Sequence, residues 1–120
     1  MIAKLLFWIS ISLFILHEMD AVKTREWRML FLINRLNDKT GHIFFTSLHF
    51  VLFIIIFYLM DYYFKEMFVL VSILFIMHWI MHLIFRNHSE NRMNNLFSRI
   101  LISLMFINSI LSLFYYFILR

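Results

Sequence analysis

Long apolar runs alternate with short polar stretches along this chain, and the alternation predicts four membrane-length helices. The first run covers about residues 2–22, where Lys4 is the only charge before the closing His17-Glu18-Met19-Asp20. The others cover about residues 42–60, 67–85 and 96–119. At about 1.5 Å per residue each is long enough to cross a hydrocarbon core of roughly 30 Å. A helix that is apolar all round has no side to offer water, so the expected fold is all-α, an integral membrane four-helix bundle forming one domain over residues 1–120. Proline is absent and glycine occurs once, at Gly41, which argues for continuous helices. β-branched and aromatic residues are frequent, but four strands cannot close a membrane barrel.

The polar stretches set the ends of these helices. Residues 23–36 interleave Lys23, Arg25, Glu26, Arg28 and Arg35 with Trp27, Leu30, Phe31 and Leu32. Trp27, Leu30 and Phe31 recur at i, i+3 and i+4, which predicts an amphipathic segment lying in the interface with its basic side chains among anionic headgroups. Residues 37–41 read as a turn with Thr40 as a helix cap. Residues 61–66 read as a tight connection with interfacial tyrosines, and residues 86–95 are the most polar part of the chain.

Composition sharpens this picture. Hydrophobic residues are 63% of the total and charged residues 15%, against about 25% charged in a soluble domain. Cysteine is absent, so a metal would have to sit on imidazole, carboxylate or water. The start of the chain shows no small-x-small cleavage site before His17 and reads as a retained helix. A net charge of +4 raises the question of nucleic acid, but the basic residues sit at the ends of apolar blocks, where membrane orientation explains them and no nucleic-acid partner is needed. Lys23, Arg25, Arg28, Arg35, Lys39, Arg86, Arg92 and Arg99 fall on one side, and Lys4, Lys65 and Arg120 on the other. Eight against three predicts both termini outside and the two basic connections in the cytoplasm, with all six histidines in the cytoplasmic half of the membrane.

Those histidines are the chemistry of the chain. His17 and Asp20 share a helical face at i, i+3, His78 and His82 share another at i, i+4, and His42 and His49 are seven apart. Counted from the basic connections, His17, His49, His78 and His82 lie roughly 6–15 Å deep, so a compact bundle stacks them in one pocket. Ionisable groups at that depth are costly and functional by default. The expected metal ligands are His17, Asp20, His49, His78, His82 and His88, with zinc as the ion and iron as the alternative. Glu18 and Glu26 are the expected proton-transfer carboxylates, and Lys23, Arg25, Arg28 and Arg86 the expected contacts to a substrate headgroup. Plainer readings stand beside these. His78xxxHis82 alone is a weak metal signal, His49 could bond Ser103, Asn108 or a backbone carbonyl, and His42 suits the interface. His88 suits solvent, Asn108 and Ser112 suit helix packing, and the phenylalanines and methionines suit lipid contact.

Three motifs carry a resemblance. The run HEMDAVKTREWRMLFLINRLNDKTG, the LHFVLF around His49, and HWIMHLIFRNHSENRMNNLFSRILI are similar to an uncharacterised family of small four-helix bacterial membrane proteins. In that family the stretch matching His17, Glu18, Asp20, Ala21 and Val22 leads into the Arg25-Glu26-Trp27-Arg28 motif. A histidine at the position of His49, and His78xxxHis82 leading to Arg86-Asn87-His88, complete the likeness, which spans nearly the whole chain apart from the middle hairpin loop. Isoleucine and phenylalanine here take the place of the small residues usual in such helices. The resemblance implies the same fold and the same set of residues, and no settled activity.

Three classes of function follow. The first is a metal-dependent intramembrane enzyme, hydrolytic on a lipid or other hydrophobic substrate, or in its redox form a non-haem iron oxidase if two metals share Glu18, Asp20 and Glu26. The second is metal or proton transport by a homodimer, which calls for polar residues through the whole thickness. The third is a structural or partner subunit in which the histidines only clasp helices together.

Overall fold

The computed structural model of the protein describes residues 1–118. Leu119 and Arg120, the end of the fourth expected helix and one basic residue of the minority side, lie outside the described residues. Four α-helices account for most of the rest: α1 (Ile2–Thr24), α2 (Asp38–Tyr62), α3 (Phe64–Ile84) and α4 (Leu96–Phe117). All four are long and apolar enough to cross a membrane. The protein is all-α, and it is a membrane protein. Its long axis of 48 Å exceeds the hydrocarbon thickness by about the depth of two headgroup layers.

The helices are not equally enclosed. Along α1 the buried positions Phe7, Ser10, Ile11, Phe14, His17, Glu18 and Ala21 recur at three and four, the spacing of one helical face. α1 packs most extensively on α4, α4 also packs on α3, and α2 leans on α3 with a smaller contact to α1. Hence α2 buries only Gly41, Phe45, Ile56 and Met60, with Phe53 and Leu59 partly buried against the core, and most of its other apolar side chains face outward where lipid would lie. The core nearer the termini is a cluster of large side chains, with the Phe7 and Phe68 ring centroids 4.7 Å apart and Met105 fully enclosed.

Small hydroxyl residues mark where the helices come closest. Ser10 on α1 meets Ser109 on α4 at 3.4 Å, and Ser72 on α3 meets Ser112 on α4 at 3.5 Å. All four are fully buried. Ser10, Ser109 and Ser112 also donate to backbone carbonyls of their own helices, at 3.1, 2.8 and 3.0 Å, so a hydroxyl can sit in an apolar bundle without an unmet donor.

The segment after α1 is not α-helical. Residues 25–36 form a 3₁₀ turn and further turns over the end of the bundle, with Glu26, Trp27, Met29 and Ile33 buried. Arg25 adopts the left-handed conformation, φ 59° and ψ 50°, with its N–H returned to the carbonyls of Ala21 and Val22. This closes α1 as a glycine would, though Arg25 carries a side chain. A 3₁₀ turn over Glu26–Met29 follows, and it buries Glu26, Trp27 and Met29 while Phe31 and Leu32 remain exposed. The shared face expected for Trp27 and Phe31 therefore does not exist, because α-helical spacing does not apply there.

Capping also differs from expectation. Asn37 rather than Thr40 caps α2, its Oδ1 accepting from the Thr40 N–H at 2.9 Å, so the helix starts ahead of the expected residue 42. Tyr63 is the sole residue between α2 and α3. Asn95 caps α4 in the same manner, accepting from the Ser98 N–H at 2.9 Å.

Candidate metal centre

Three imidazoles from two helices meet at one end of the bundle. His17 stands on the buried face of α1, and His78 and His82 stand one turn apart on α3. All three meet through the same ring atom: His17 Nε2 is 2.7 Å from His78 Nε2, and His82 Nε2 is 3.1 Å from it. The left-handed turn at Arg25 then carries Glu26 back over them. Glu26 Oε1 lies 3.5 Å from His82 Nε2, and Oε2 lies 3.8 Å from His17 Nε2. One ligand atom from each of His17, Glu26, His78 and His82 fits within 4.8 Å of the others.

This convergence is unfavourable without a cation. A neutral imidazole has one N–H and one in-plane lone pair, so His78 Nε2 can form one good hydrogen bond with one neighbouring Nε2 and not with both. Glu26 Oε2 is moreover buried without a hydrogen-bond partner. A single ion at the common focus would engage every one of these lone pairs. Tetrahedral zinc with Zn–N of about 2.0–2.1 Å needs ligand atoms about 3.3–3.4 Å apart. The closest ligand atoms are 2.7 and 3.1 Å apart and the widest within 4.8 Å, so the residues fit the group once their side chains shift by up to about 1 Å. Burial pushes the Glu26 carboxyl up to about 8, helped by the negative charge of Glu18.

The neighbouring groups form a ring around the cluster. Glu18, one residue after His17, points to α2, where its Oε2 lies 2.9 Å from His49 Nε2. The other ring nitrogen of His49, Nδ1, lies 2.7 Å from the Phe45 carbonyl and must donate to it. Glu18 and His49 thus form a close polar pair that links α1 to α2 beside the three imidazoles.

Several expected site residues have other partners. Asp20 was expected among the ligands, yet it accepts a short hydrogen bond from the Ser98 hydroxyl, which ties α1 to the start of α4. His49 is taken by Glu18, as above. His88 sits in the loop after α3, where its Nδ1 accepts from the Glu90 N–H at 3.2 Å, and it lines a separate open cavity with Arg28, Asn34, Arg35, Ser89 and Glu90. Glu26, expected as a proton carrier, joins the imidazoles directly. Arg25 and Arg28, expected at a headgroup, both bond Asp38, Arg25 Nη1 at 2.7 Å and Arg28 Nε at 3.0 Å. Lys23 is exposed on the last turn of α1, and Arg86 lines a groove between α3 and α4. The role of Ser98 was missed, although Asn95 three residues before it is a helix-start signal in the sequence.

The cluster opens sideways through a small, mainly apolar pocket of about 100 Å³ lined by Met29, Leu30, Met81 and Phe85 together with Glu26, His78 and His82. A family model described as "Family of unknown function (DUF6713)" matches residues 3–119. The chain belongs to this family. Its match takes in every residue of the cluster, of the Glu18–His49 pair and of the Asp20–Ser98 bond. No curated protein and no solved structure matches the chain.

Proposed function

We propose that this DUF6713 protein is a zinc-dependent membrane hydrolase, in which His17, His78 and His82 hold the ion through Nε2 and Glu26 faces its open side. The convergence of three buried imidazole nitrogens on one point, with a carboxylate beyond them, carries this reading. Zinc bound there would act as a Lewis acid and bring a coordinated water into the neutral pH range. Glu26 is the group placed to take up a proton at its carboxylate and to return it to the departing oxygen. The Glu18–His49 pair, with Oε2 and Nε2 2.9 Å apart beside the cluster, is the next acid–base pair along which that proton can pass. Met29, Leu30, Met81 and Phe85 around the opening suit an apolar substrate, so the bond cut is assigned to a lipid ester or phosphoester.

Two observations weigh for hydrolysis over iron-dependent oxidation. Glu18 is engaged by His49 and Asp20 by Ser98, so a second metal would have only Glu26 as a free carboxylate. Imidazole-rich single-ion sites with an open position are typical of hydrolytic zinc. The excess of lysine and arginine around this end favours a cytoplasmic location for the site.

The test is turnover of fluorogenic lipid esters and phosphoesters by the purified protein loaded with zinc, beside Glu26→Gln and His78→Ala. Both substitutions are expected to abolish turnover; His78→Ala releases zinc, while Glu26→Gln weakens its binding without removing it. Full turnover by His78→Ala would contradict the assignment, and oxygen consumption by iron-loaded protein would replace hydrolysis with oxidation.

A further inference from the structure

A second, larger cavity of about 180 Å³ lies on the other side of His82, between the end of α3, the loop over residues 88–95 and the first turns of α4. His82 is common to its wall and to the wall of the metal-side opening. Arg86, one turn beyond His82, and Arg99, on the first turn of α4, both line it. Among the described residues neither arginine forms an ion pair, whereas Arg25 and Arg28 share Asp38. Two unneutralised guanidinium groups flanking one groove make a site for a dianionic or monoanionic oxyanion, since guanidinium matches phosphate in charge and in donor geometry.

The groove is held in shape from below. The Asn91 side chain donates to the Phe85 carbonyl at 3.0 Å and to the Arg86 carbonyl at 3.2 Å, and the Asn94 side chain donates to the Arg86 carbonyl at 2.9 Å. Asn91 Oδ1 accepts from the Met93 N–H at 2.9 Å, and Met93 is buried beneath. The backbone that bears Arg86 is thereby fixed against the loop, and its side chain does not have to order the loop on binding.

The surface around the groove is apolar. Leu83, Ile84, Leu96, Phe97 and Ile100 are exposed on the two helices that flank it. A ligand bound by both features carries an anionic head and hydrocarbon chains. We propose that the α3–α4 groove binds the phosphate of an anionic membrane phospholipid, with Arg86 and Arg99 on the phosphoryl oxygens and the acyl chains along the outer faces of α3 and α4. For its use in delivering a lipid to His82 and Glu26 this rests on the hydrolase reading; the binding itself does not require metal.

Native mass spectrometry of the full chain in detergent provides the test, with phosphatidylglycerol, phosphatidylcholine and soluble glycerol phosphate added in turn and bound zinc read from the same spectra. One phosphatidylglycerol is expected to bind with on the order of tenfold preference over phosphatidylcholine, as two charge-assisted contacts allow. The Arg86→Gln, Arg99→Gln double variant is expected to lose that preference with zinc content unchanged. Ser103→Phe, which fills the groove and leaves both arginines in place, is expected to lose it as well. Equal binding of the two lipids by the wild type, or an undiminished preference in both variants, would overturn the proposal. Glycerol phosphate binding as tightly as phosphatidylglycerol would also overturn it, since a free phosphate would then be the ligand. Protein that prefers phosphatidylglycerol but holds no zinc would keep the groove and remove the metal centre.

Discussion

Trp27 lies over Gly41 so closely that a β-carbon on that glycine would stand 2.7 Å from the indole Cδ1 and Nε1. The sole glycine of the chain is the seat for the residue that follows Glu26. Trp27 is only 3% exposed and has Phe45 and His42 at ring-centroid distances of 5.7 and 5.9 Å, so the indole cannot simply swing away. Gly41→Ala gains about 1 kcal/mol of helix propensity and meets an overpacking cost of about 1–3 kcal/mol, which decides the sign. The variant is expected to melt at lower temperature and to bind zinc more weakly, because displacing Trp27 drags Glu26 with it. Thermal unfolding in detergent and a zinc titration check both effects.

Asp20 offers the opposite kind of outcome. Its carboxylate receives the Ser98 hydroxyl, and Ser98 in turn receives the Asn95 side-chain N–H at 2.7 Å, so the chain of bonds runs from α1 into the cap of α4. Asp20→Ala should therefore lower stability by about 1–3 kcal/mol, the cost of a lost buried bond to a charged group. Zinc content is expected to stay near the wild-type value. Loss of zinc with unchanged stability would return Asp20 to the ligand set.

The buried Glu26 carboxyl gives a pH signature. Its pKa is about 8 in the folded metal-free protein against an ordinary 4.5. Between those values the folded chain holds more protons than the unfolded one, so stability falls as pH rises through that window. The metal-free wild type should lose stability from pH 5 to 8 relative to Glu26→Gln, and saturating zinc should remove the difference by pairing the carboxylate. Zinc affinity should rise over the same range, since binding displaces the proton. Parallel unfolding curves for wild type and Glu26→Gln across this window would contradict the burial of a titrating carboxyl.

How far the sequence could lead is clearest at particular residues. The four helices were legible because long apolar runs admit no other stable structure in lipid. His78 and His82 were legible as a pair because i, i+4 spacing fixes a shared face, and His17 joined them through matched depth. Glu26 was expected as a proton carrier and not as a member of the imidazole cluster. Its place depends on the left-handed turn at Arg25, which hydrophobic periodicity cannot reveal. Asp20 shares a face with His17, yet Ser98 on the most closely packed neighbour captures it, and pairing between distant helices is invisible to local spacing. Ser10 and Ser72 were passed over among bulky residues. Their meaning lies in the contacts between helices, Ser10 with Ser109 and Ser72 with Ser112.

The most direct test of the metal centre is the metal content per chain of detergent-purified protein that has never met a chelator. Plasma mass spectrometry would be run beside His17→Ala and His82→Ala, each first shown by circular dichroism to keep its helices. Near-stoichiometric zinc in the wild type, abolished in both variants, is the expected result. Metal-free wild-type protein from zinc- and iron-replete cells would contradict the account, and would leave the three imidazoles as a clasp between α1 and α3.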